Sequence, residues 1–110
     1  MAIWIKAADQ NLPVETINPT NHPDKYCSDG SLALDALQQM AGGFIELIQL
    51  RKPIELNGVR YTMMIIDEEG KIDGKPVNGV ATVIALETQS IHQLDCIVGD
   101  AVLLADGEIV

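Results

Sequence analysis

The residues best suited to chemistry lie between Asp67 and Ala85, in the stretch DEEGKIDGKPVNGVATVIA. Lys71 and Lys75 are its cations, Asn78 and Gly79 stand at the expected start of a helix, and Thr82 adds a hydroxyl. A capped helix start presents unpaired N–H groups, which suits an anion such as a phosphate. Glycines in the preceding loop would let such a group come close to the backbone. Lys71, Lys75, Asn78, Gly79 and Thr82 are therefore the candidate ligand-binding residues. The order Gly-x-x-x-x-Gly-Lys-Ser/Thr of a phosphate loop is absent. The competing reading makes Gly70, Gly74 and Gly79 turn formers and Asn78 a cap. Thr82, inside a helix, is then expected to bond the turn before it.

Other reactive residue types are sparse. Asp67, Glu68 and Glu69 form an acidic run, but no calcium-loop pattern follows, and the run reads as a solvated turn. His22 lies near Cys27, which raises a Cys–His nucleophile. Such a pair needs the base within reach, an orienting group and an oxyanion site. The pattern supplies none of these, so a surface histidine and an inert thiol are expected. His92 reads as a partly exposed connector residue. Cys27 and Cys96 stand far apart, with no CxxC and no histidine at metal spacing. The sequence thus points to no catalytic residues, no metal and no cofactor.

Elements that could position the candidate residues are legible from periodicity and turn chemistry. Ile3–Ala7 reads as a strand rich in branched and aromatic residues, followed by a turn signal at Asp9-Gln10-Asn11 and a second strand at Val14–Ile17. A polar excursion from Asn18 to Gly30 contains Pro19 and Pro23. Ser31 is the expected cap of a helix from Leu32 to Ala41, whose Ala33, Leu34, Leu37, Met40 and Ala41 recur at helical spacing. Gly42-Gly43 should end it.

A strand from Phe44 to Leu50 follows, stopped by Pro53; Asn57-Gly58 reads as a tight hairpin turn into a strand from Val59 to Ile66. The run Met63-Met64-Ile65-Ile66 should be covered on both faces. Asn78 then caps a short buried helix over Val80–Leu86, although its β-branched residues also suit a strand. A last strand spans Asp100–Ala105, Asp106-Gly107 turns it, and Glu108–Val110 forms a short tail. The order is β-β-α-β-β-α-β. It predicts an α+β fold: a small mixed or antiparallel sheet of four to five strands, with one main helix and a short second helix on one face, β-grasp-like in outline.

Bulk properties narrow the function. At 110 residues and 47% apolar content the chain is expected to fold as a single domain, residues 1–110, around an aliphatic core. Seven basic against sixteen acidic residues give a formal charge of −9. That field repels phosphate backbones, so direct nucleic-acid binding is not expected. No apolar run approaches the ~20 residues of a membrane helix. The amino terminus has no signal-peptide pattern, which predicts a cytoplasmic protein with reduced thiols.

Five short words run through the chain in a fixed order: Met40-Ala41-Gly42-Gly43-Phe44-Ile45-Glu46, Asp67-Glu68-Glu69-Gly70-Lys71, Pro76-Val77-Asn78, Ala81-Thr82 and Ile97-Val98-Gly99-Asp100-Ala101. With these words the stretch from Leu34 to Leu104 resembles the domain-of-unknown-function family 3846, small proteins of phages, plasmids, conjugative elements and bacterial genomes. The resemblance implies a mobile-element origin and no particular activity. The first thirty residues carry little of it, and the polar excursion from Asn18 to Gly30 reads as an addition of this member.

These observations predict a non-catalytic binding protein of a phage or mobile element, an accessory or counter-defence factor in the host cytoplasm. Its expected partner is a host protein or a small anionic, nucleotide-like ligand. The alternatives are a small enzyme acting on a phosphorylated metabolite near Lys71, Lys75 and Asn78, or a self-assembling homo-oligomer that pairs through an exposed edge strand.

Overall fold

The computed structural model describes residues 1–7 and 14–108. The chain runs β1 (Ala2–Ile5), β2 (Val14–Ile17), a 3-10 turn (Pro23–Lys25), α1 (Leu34–Ala41), β3 (Ile45–Leu56), β4 (Val59–Asp67), α2 (Gly79–Glu87) and β5 (Ala101–Ala105). This is the α+β order that the sequence predicts. One five-stranded sheet forms, in the order β2-β1-β5-β4-β3, and every neighbouring pair is antiparallel. The expected turn at Asp9-Gln10-Asn11 and the last two tail residues, Ile109 and Val110, lie outside the described residues.

The helices lie on opposite faces of the sheet, not on one face as expected. Strand side chains alternate between faces, and the central strands are apolar in both phases. Met63, Ile65, Val102 and Leu104 pack with Leu37, Met40 and Ala41 of α1. Met64, Ala101 and Leu103 pack with Ala81 and Ala85 of α2. A run such as Met63–Ile66 cannot be kept dry by helices on one side only. The outer face of α2 leaves Val80 and Val83 exposed, because this helix is apolar around most of its circumference.

Two local expectations are corrected. Helix α1 starts two residues later than predicted, after Ala33, and Ser31 does not cap it. Leu32 is buried and its N–H donates to Glu108 O at 2.8 Å, which holds the chain extended at that point. The Ser31 hydroxyl instead donates to Asp29 Oδ1 at 2.6 Å. Pro53 does not stop β3. Gln49 pairs with Met63 and Ile54 with Tyr61, so Leu50–Pro53 bulge out opposite Thr62. A proline is tolerated in such a bulge on an edge strand, where its missing N–H has no ladder partner to lose.

Other expectations hold. Gly42 closes α1 in the left-handed region, at φ +89°. Asn57 and Gly58 both have positive φ, as a tight hairpin turn requires. The excursion from Asn18 to Gly30 is tied down by its own hydrogen bonds: Asn18 Oδ1 accepts from the Thr20 and Asn21 N–H groups. Tyr26 anchors it, its hydroxyl donating to Ile17 O at 3.0 Å. Burial and the nearby Glu108 carboxylate push that phenol up to about 12.

A sheet covered on both faces has two nearly independent cores. Leu37→Ala and Leu103→Ala, one on each side, should each cost about 2–4 kcal/mol. In urea titrations the double variant should lose their sum to within ~0.5 kcal/mol. A large departure from additivity would mean that the two residues share one core.

Candidate functional site

Strand β4 delivers Asp67 to the junction of α1, β3 and the loop before α2. Its inward phase is Met63, Ile65, Asp67, so the carboxylate follows two core residues to the covered side. Asp67 is 4% exposed, against the expectation of a solvated turn. Lys75 Nζ donates to Asp67 Oδ2, and also to the carbonyls of Ala41 at 3.3 Å and Gly42 at 3.1 Å. Those carbonyls end α1, where the helix dipole favours a cation. Asp67 Oδ1 accepts the Glu69 N–H at 2.9 Å. Burial alone would raise the Asp67 carboxyl, but the bonds from Lys75 and Glu69 outweigh it and hold it below its ordinary value.

Glycines make room for this pair. A Cβ on Gly42 would stand 2.6 Å from Lys75 Nζ, and one on Gly99 would stand 3.0 Å from Lys75 Cδ. The words Met40–Glu46, Asp67–Lys71 and Ile97–Ala101 thus meet at one place. Lys75, between the second and third words, joins them.

Asn78 is equally engaged. Its Nδ2 donates to Ile5 O and Gly99 O, both at 3.0 Å, and its Oδ1 caps α2 by accepting the Ala81 N–H at 3.1 Å. The helix reading of this segment therefore holds. Thr82 Oγ1 accepts the Ile97 N–H at 2.9 Å and lies 3.3 Å from Ile97 O. It bonds a neighbouring segment instead of its own preceding turn. Gly79 is exposed and open.

Lys71 lies across from the other predicted residues. It reaches from the β4–α2 loop to Asp95 of the α2–β5 loop, where Nζ donates to Asp95 Oδ1. That bond, together with the charges of Asp95 and Glu46, raises the Lys71 ammonium; the same bond lowers Asp95. The two loops are so clasped over a cleft of about 370 Å³. Ile48, Ile66, Ile91 and Ile97 form its apolar floor, and Glu46, Glu68 and Cys96 stand beside the clasp. Its size is in the range of small-ligand pockets. The cleft exists because α2 covers only part of its face of the sheet, leaving irregular chain to roof the β3–β4 end.

Lys71, Lys75, Asn78, Gly79 and Thr82 are therefore close in sequence but do not converge on one open pocket. Lys71 borders this cleft, while Lys75 lines a separate one of about 200 Å³ with Pro76 and Gly99. Sequence reasoning missed Asp67, Asp95 and Glu46. The two-residue period of β4 could have revealed Asp67; nothing local marks Asp95. His22 Nε2 lies 3.4 Å from Glu15 Oε2, and Cys27 is an exposed free thiol. Among the described residues no cluster of three or more His, Cys, Asp or Glu could hold a metal ion.

Removing one partner of a buried ion pair strands the other, so Lys75→Met should cost roughly 3–5 kcal/mol. Asn78→Ala should cost about 2–3 kcal/mol, losing the cap and leaving two carbonyls without their donor. The carboxyl of Asp67 is lowered on folding, so it stabilises above the ordinary carboxylate range near pH ~4 and loses that effect as pH falls through the folded value. Chemical denaturation across pH should show the deficit of Asp67→Asn at full size near neutrality and shrinking in acid. A pH-independent deficit would contradict the ion pair.

No curated protein and no solved structure matches the chain. Among the described residues no helix is long and apolar enough to cross a membrane. A family model described as Domain of unknown function (DUF3846) matches residues 5–109, nearly the whole chain. The chain belongs to that family.

Proposed function

We propose that this protein is a non-catalytic binding module of a phage or other mobile element, acting in the cytoplasm of the host cell on a basic host protein. The observation that carries this reading is the cleft. It has an apolar floor and a rim in which Glu46, Glu68 and Asp95 outnumber Lys71. The chain around it has a formal charge of −9, and complementary charge both selects a partner and speeds the encounter. The biological setting rests on the resemblance of the sequence to small proteins of phages, plasmids and conjugative elements.

Small anions draw less support from the geometry. Lys71 and Lys75 are each held by a carboxylate, and the Asn78 amide is saturated by main-chain groups. Catalysis draws less still. The cleft hydroxyl, Ser90 Oγ, is 2.7 Å from Thr88 Oγ1, and His92 Nδ1 accepts the Leu94 N–H. Neither forms a nucleophile–base pair.

The tagged full chain, recovered from bacterial cells and examined by native mass spectrometry, should carry a basic polypeptide at fixed stoichiometry. That complex should weaken as salt rises from about 0.1 to 0.5 M, because screening shortens the reach of the acidic field. Recovery of a bound nucleotide without a protein, or turnover of nucleotides by the purified chain, would overturn the reading.

A further inference from the structure

The cleft has a more specific chemistry than general acidity. Its floor is not a closed core: Ile48, Ile66 and Ile91 are only half-buried there. Its rim already holds one alkylammonium. Lys71 is a four-carbon stem ending in a cation, and it sits against Asp95 within the field of Glu46. Glu46 and Glu68 form no ion pair with any described residue. Glu46 lies on β3 and Glu68 just past the end of the neighbouring β4: Glu46 is paired with Ile66, and the Glu68 N–H donates to Phe44 O at 2.8 Å.

We propose that the cleft takes an ammonium or guanidinium group on an aliphatic stem, the end of a lysine or arginine side chain of the partner. The stem lies on the isoleucine floor and the charge meets Glu46 and Glu68. Apolar stems of lysine and arginine cover hydrophobic surface while their heads stay at a polar rim, and carboxylates give the strongest bonds to such heads. The Lys71–Asp95 clasp shows what the rim accepts, and its ammonium is the incoming cation's internal competitor. This inference rests on the binding reading and names the chemistry of its contact. A free aliphatic diamine would present the same groups, so the experiment separates the two sources.

The ¹⁵N-labelled full chain is titrated with Nα-acetyl-lysine N-methylamide, with its neutral norleucine counterpart, and with 1,5-diaminopentane. The lysine amide should shift the amides of Ile66, Glu68, Ile91 and Cys96 saturably, with a dissociation constant of roughly millimolar order for so small a probe. Norleucine should not. The exposed double substitution Glu46→Gln/Glu68→Gln should weaken the lysine amide about tenfold or more by removing both charges, with the melting temperature of the wild type retained. Lys71→Met should tighten it by removing the competing cation. Equal shifts with norleucine, or an unchanged constant in the double variant, would overturn the proposal. Saturation by the diamine and not by the lysine amide would overturn the side-chain source. If the basic partner is still captured while no lysine saturation occurs, the cleft inference fails and the binding reading stands.

Discussion

Asp67 ends its strand on the side that carries Met63 and Ile65, so its carboxylate goes where water does not follow. Everything near it answers that placement. A buried carboxylate without a partner costs several kcal/mol or takes up a proton, and Lys75 prevents both. Because the same ammonium also bonds the carbonyls that end α1, one cation joins a strand end, a helix end and the loop before α2. The sharp turn at Gly42 and the close approach at Gly99 are the steric conditions for that contact. The position of the 370 Å³ cleft follows, since the loop anchored by Lys75 is the loop that sends Lys71 across to Asp95.

The fold was largely legible because its signals are local. Asn78 sits before an apolar segment and caps it; Asn57-Gly58 forms the hairpin; Gly42 closes α1. What local signals could not show was the partner of a group far along the chain. Ser31 has the right residue type for a cap, but the burial of Leu32 moved the helix start past it. Pro53 has the right type for a stop, but an edge position and a bulge admit it. The apolar run in β4 did say that both faces are covered, and that fact, followed through, places the helices on opposite sides.

The site was less legible, for the same reason. Lys71, Lys75 and Asn78 share a short polar loop, which suggested one anion pocket. In three dimensions each faces a different element and finds a partner there: Asp95, Asp67, and the carbonyls of Ile5 and Gly99. Asp95 lies in irregular chain with no periodicity to orient it. The cleft that it borders is made by the closure of two loops, and no single stretch of sequence contains it.

The amide of Asn78 bonds a carbonyl 73 positions earlier in the chain, and β1 pairs with β5, the most distant strand in sequence. Contacts of such long range delay assembly, because the closure entropy must be met before they form. During synthesis β1 can have β2 beside it but not the neighbour on its other flank, and the segment at Asn78 can coil but not seat. Until Ala101–Ala105 have emerged, the oily sides of β4 remain without their companion strand. The nascent chain is therefore most prone to stick to other chains just before its last strand arrives.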